Sequence, residues 1–182
     1  MSPPMTMRDQ ALLGASQSEP CVPEMWSQTT GTGEVGFNSS GVIGCANNLS
    51  AGNVNIGKTL TSFTMRMKRA NTLSQPLKFG VWLSGNNTLT PTTEFSGSIS
   101  NANQLTTSMA WYTFTGSQTL ALDSHVGFLM QSGMDANIGV ARVENVGQST
   151  ISDFTMTIKG SSGSWGNYNA GQVIYQEAFQ TC

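Results

Sequence analysis

Charge is what this sequence has least of: only 10% of its 182 residues are Asp, Glu, Lys or Arg, against roughly 25% in an average soluble domain. The net charge is −2, and the densest cationic patch is Arg66, Lys68 and Arg69. That patch is too small to track a phosphate backbone, so nucleic acid is excluded as an expected partner. No run of 18 or more apolar residues occurs, which excludes an apolar helix across a membrane. Met1–Gln10 is rich in Pro, Met and Thr and contains Asp9, so no basic region leads into an apolar one; a signal peptide is expected to be absent or already removed. There is a single histidine, His125, and only three cysteines, whose spacing fits no zinc pattern. Disorder of the whole chain is excluded in turn, because 38% of the residues are hydrophobic, with four Trp and eight Phe.

Ser, Thr, Asn, Gln and Gly fill the space that charge leaves, and the apolar residues among them alternate. From Lys58 to Leu83, Phe63, Met65 and Met67 alternate with Thr64, Arg66 and Lys68. Leu77, Phe79, Val81 and Leu83 then alternate with Lys78, Gly80 and Trp82. A period of two places one set on a buried face and the other in water. The spacing predicts two strands that form a hairpin or lie side by side. Further strands are expected near 34–38, 41–46, 111–115 (ended by Gly116), 119–122, 126–131, 138–143, 154–158 and 173–178, with a Gly-rich loop over 160–171. Met65, Met67, Met130 and Met156 fall on predicted inward positions, where a flexible thioether fills gaps. Strands recurring every 10 to 15 residues, with no long amphipathic helix, predict an all-β chain: an antiparallel β-sandwich of jelly-roll type over residues 26–182.

Residues 1–25 hold four of the six prolines, Pro3, Pro4, Pro20 and Pro23. Proline fixes φ and turns its predecessor away from helix, so an extended N-terminal arm is expected, with at most a helical turn from Arg8 ended by Gly14. Such a segment cannot build a core alone and is expected to be pinned, as on a neighbouring subunit. Cysteine leaves two readings open: a Cys21–Cys45 staple between arm and body, or three thiols that include Cys182.

Chemistry is sparse. A nucleophilic triad would have only His125 as base, and His125 reads as a polar residue at a strand edge. Glu94, Asp123, Asp135, Glu144 and Asp153 stand singly at predicted turns or strand ends, not as the pair that glycoside hydrolysis needs. Asp135 and Asn137 offer oxygen ligands two apart, but no run of alternating Asp supports a calcium loop. No enzyme activity, cofactor or metal is therefore expected. The sequons at Asn38, Asn48 and Asn86 are matches that a chain this rich in Asn, Ser and Thr makes by chance. Trp165 and Tyr168 in the Gly-rich loop, together with Trp82, form the candidate platform for a stacked ligand or a partner.

The stretches Leu60–Arg69, Leu77–Leu83, Trp111–Thr115, Val126–Met130 and Asp153–Gly160 together resemble β-sandwich modules of phage and virus structural proteins and of secreted surface proteins. The resemblance covers roughly residues 55–160. It departs at Ala70–Pro76, where such modules often carry a Gly-Pro turn. It implies the fold and an exterior, non-catalytic role, and it transfers no active site. The expectation is a virion structural protein (capsid, decoration or tail-associated) whose partners are its own copies and other virion proteins. The alternative is an extracellular carbohydrate-binding module that uses Trp82, Trp165 and Tyr168 on surface glycans.

Overall fold

A computed structural model describes residues 24–28, 33–37, 42–69, 76–131, 138–144, 154–160, 163–167, 173–175 and 177–182. Residues 1–23 of the expected arm, with the Arg8 turn, the Asp135–Asn137 pair and Tyr168, lie outside these residues, while Glu24 and Met25, expected to end the arm, begin the first strand. Among them no α-helix occurs, and no helix is long and apolar enough to cross a membrane.

The chain is all-β. Its strands are β1 (Glu24–Gln28), β2 (Gly33–Phe37), β3 (Val42–Leu49), β4 (Thr59–Arg69), β5 (Leu77–Trp82), β6 (Thr93–Gly97), β7 (Ala110–Thr119), β8 (His125–Met130), β9 (Ile138–Glu144), β10 (Phe154–Gly160), β11 (Trp165–Asn167), β12 (Val173–Tyr175) and β13 (Glu177–Thr181). Every pairing between them is antiparallel. Ten run in the order β1-β13-β4-β7-β6-β5-β8-β3-β10-β11; β9 joins β4, and β2 and β12 join β9.

The alternation in β4 is realised. Leu60, Phe63, Met65 and Met67 are fully buried, and the Thr, Arg and Lys between them are not. The expected side-by-side pairing of the two central runs is not. β4 pairs with β7, β13 and β9, while β5 pairs with β6 and β8, so two strands separate them in the sheet. Their link is too long for the two-residue turn that would force a hairpin, and each run finds a better-matched neighbour. β4 and β7 run together over eight paired positions, from Thr59↔Thr119 to Met67↔Ala110.

The sheet bends at β6, which pairs with β5 on one side and β7 on the other. Phe79 of β5 thereby stacks on Phe114 of β7, with centroids 3.7 Å apart and planes 11° apart. Phe154 of β10 and Phe179 of β13, seven steps apart in strand order, meet edge to face at 5.7 Å. A flat sheet would hold those strands on the order of 30 Å apart, so the two ends of the strand order fold over onto each other. Phe63, Phe79, Phe95, Phe114, Phe128, Phe154 and Phe179 all belong to the one buried cluster, making it a phenylalanine core.

Two boundaries differ from expectation for steric reasons. Gly116 does not end its strand; β7 continues to Thr119. A Cβ at Gly116 would stand 2.7 Å from the Phe95 ring, so this glycine lets Phe95 lie against β7. Phe95, in a stretch where no strand is expected, sits in β6. Leu120–Ser124, expected to begin as a strand, is a turn in which Asp123 takes φ 60°, a left-handed conformation that Asp tolerates better than most residues.

Candidate functional site

Trp82, the last residue of β5, was expected on that strand's solvent side. It is fully buried. β5 buries both faces over Phe79–Trp82, and Trp165 packs against Trp82 edge to face at 5.4 Å. Trp82 is therefore a wall of the molecule and no exposed platform. Trp165 is half-buried on the short strand β11, where its backbone N–H donates to Asn87 Oδ1 (3.2 Å) in the loop after β5.

The Trp165 ring also stacks on His125, at 4.8 Å and 23°. His125 pairs with Trp82 across β5–β8 and with Asn48 across β3–β8. Asn48 Nδ2 donates to His125 Nε2 (3.3 Å), which makes Nε2 the bare nitrogen of a neutral ring and leaves the proton on Nδ1. Burial holds the His125 pKa down, from 6.5 to about 4. The carbonyls of Asp123 and Trp82 and the Asp123 charge act weakly the other way, yet none closes a hydrogen bond on Nδ1. Trp82 Nε1, Trp165 Nε1 and His125 Nδ1 are thus three buried N–H groups in one ring cluster, all without an acceptor.

Lys159 of β10 stands opposite Trp165 in the β10–β11 ladder and opposite Gly44 of β3. It is 2% exposed, and its Nζ donates to the carbonyl of Gly163. Burial lowers its pKa, because water is lost around the ammonium.

A second surface lies where the turn over 50–58 meets the turn over 120–124. Gly57 N–H bonds the Leu120 carbonyl, Leu120 N–H bonds Lys58, and Asp123 N–H bonds Leu49. Gly52 and Gly57 take φ of 93° and 87°, which a residue with a Cβ reaches only with strain. Asn53 and Asn55 are buried beneath, and Asn53 Oδ1 accepts from Asn55 N–H (2.9 Å). This scaffold holds Val54, Ile56 and Leu122 outward, with 63%, 36% and 47% of their surfaces exposed. Cys182 exchanges both backbone hydrogen bonds with Thr59 at the same end. An exposed aromatic, Trp111, lies on β7 with 42% of its surface exposed.

A cleft of about 150 Å³ beside β5 and β6 is lined by Leu77, Phe79, Glu94, Phe95, Ser96 and Ile99 among others. It is half the size of the smallest ordinary ligand pocket, about 300 Å³. At its mouth Glu94 pairs with Lys78 (2.7 Å). Among the described residues no three of His, Cys, Asp and Glu gather around a metal position.

Of the predicted platform, the structure brings Trp82 and Trp165 together, but as a buried contact. The Cys21–Cys45 staple is overturned: Cys45 is a buried thiol in the core of β3, and Cys182 is the disulfide-bonded residue. Three thiols are overturned with it. Asn48 is too buried to carry a glycan. Sequence reasoning missed Trp111, whose alternation with Tyr112 and Phe114 was a usable signal. It also missed Val54, Ile56 and Leu122, which look like ordinary loop residues. No protein-family model matches the chain, and neither curated proteins nor solved structures gave a significant similarity.

Proposed function

We propose that this chain is a structural subunit of a virion, a jelly-roll-type β-sandwich that assembles through contacts with its own copies and other virion proteins. The sandwich reading is supported by the facing of β5 on β7 and of β10 on β13 through their phenylalanines. The observation that carries assembly is the apolar end formed by Val54, Ile56 and Leu122. Large apolar side chains displayed on two turns that are hydrogen-bonded to each other mark a surface meant to be covered. The virion setting rests on the sequence resemblance and on a surface of neutral polar groups. The disulfide at Cys182 favours the exterior, because disulfides persist outside the reducing cytosol. Light scattering on the full chain and on V54S/I56S/L122S tests assembly; removal of residues 1–25 tests the arm separately.

A second reading, an extracellular carbohydrate-binding module, is favoured by Trp111. It shares one face of β7 with the exposed Thr113 and Thr115, so an open ring lies beside hydroxyls on a sheet. A glycan array on the wild type and W111A tests it, and binding that W111A leaves intact would remove Trp111 from the account.

A further inference from the structure

Four buried donors on one face of the β5-β8-β3-β10-β11 half ask for an acceptor. The antiparallel register places Trp82, His125 and Asn48 in one row across that face, and Gly44, Lys159 and Trp165 in another. Trp165 links the rows, since it faces Lys159 across its ladder while its ring stacks on His125 and meets Trp82. Trp82 is fully buried and Lys159 nearly so. Three ring N–H groups have no acceptor, and the ammonium gives one bond to the Gly163 carbonyl, which leaves two of its three donors over. Buried donors are almost always paired, and a buried charge needs a counter-charge or dense hydrogen bonding. Among the described residues the carboxylates beside this face are Asp123, which bears on His125 at the end away from Lys159, and Glu94, which Lys78 already pairs.

We propose that this face is a binding site for one carboxylate group, held by Lys159 Nζ and by the indole N–H groups of Trp165 and Trp82. A single ammonium matches a single negative charge and favours a monoanion over phosphate. Two carboxylate oxygens suit several N–H donors, and the Trp and His rings offer apolar walls to the body that bears the carboxylate. The proton on His125 Nδ1 adds a third neutral donor. Asp123 repels the anion from the His125 side and biases it towards Trp165. β11, three residues long, walls the site through Trp165.

The site is read through the indole N–H resonances of ¹⁵N-labelled protein, titrated at pH 7 with sodium acetate against sodium chloride at matched ionic strength. Two of the four indole signals, assigned by W82F and W165F, should move downfield and saturate with acetate only. K159M should weaken acetate binding by about tenfold or more. Linear drift of all four signals, an equal response to chloride, or wild-type affinity in K159M would each overturn the site. W82F keeps a ring in the core and removes one donor, so it covers the case in which K159M does not fold. Wild-type affinity in W82F also counts against the proposal. Sodium glucuronate is the second probe: tighter binding than acetate identifies an acidic sugar as the source of the carboxylate, and equal binding identifies the carboxylate alone.

Discussion

His125 shows how one residue's surroundings reverse its reading. Alone in the sequence it looks like a polar strand-edge residue. In the fold it is a neutral ring between Asn48 and Trp165. Its pKa is about 4 in the folded state and near 6.5 when unfolded. As pH falls from 6.5 to 4 the unfolded chain takes up the proton first, so stability is greatest above 6.5 and declines through that window. Below about 4 both states are protonated and the decline stops. NMR titration of this single histidine should show a midpoint near 4; a midpoint near 6.5 would remove the buried stack from the account. A neighbour sets a second residue-scale expectation. A Cβ at Gly127 would stand 2.1 Å from the Cys45 carbonyl and 2.6 Å from the Ala46 Cα. Backbone cannot yield as a side chain tip does, so Gly127→Ala should cost about 1–3 kcal/mol or prevent folding, measured by urea unfolding.

At the scale of elements, the bend of the sheet at β6 brings β5 over β7 and buries their phenylalanines against each other. Phe114 touches both Phe63 and Phe79, so Phe114→Ala opens a cavity between the two halves and should cost about 3–5 kcal/mol. The Lys78–Glu94 pair on the same strands is largely in water, with 34% and 48% of its side chains exposed. Glu94→Gln should cost less than about 1 kcal/mol. Packing wins over charge here, and equal losses in the two variants would contradict that. The strands themselves were legible where one face is wet: Phe63-x-Met65-x-Met67 announces β4. They were illegible where both faces are covered, as at Trp82, since alternation carries no information once Trp165 roofs the outer side. Which strands pair was also hidden, because β4 and β5 are neighbours in sequence while their partners are set by distant segments. β11 was lost inside a Gly-rich stretch that reads as a loop.

For the whole molecule, three cysteines with one reduced in the core and Cys182 bonded make a countable statement. A denatured, unreduced chain should titrate one thiol, and two would place the bond between chains. Cys182→Ser should lower stability by about 2–4 kcal/mol, since Cys182 closes the end where Thr59 and the 50–58 turn meet. Spacing alone could not choose the pair, because a disulfide is decided by which Cβ atoms the finished fold brings together. The exposed end was equally hidden. Val54 and Leu122 are 68 residues apart by their numbers and become neighbours only through hydrogen bonds such as Gly57 to Leu120.

The Val54, Ile56 and Leu122 end decides whether the molecule assembles. The mass of the full chain in solution should exceed one protomer by light scattering, and V54S/I56S/L122S, altered only in exposed turns, should return it to the monomer with its near-UV spectrum unchanged. A wild type that is already monomeric across the accessible concentration range, or a variant that assembles as the wild type does, would contradict assembly through this surface.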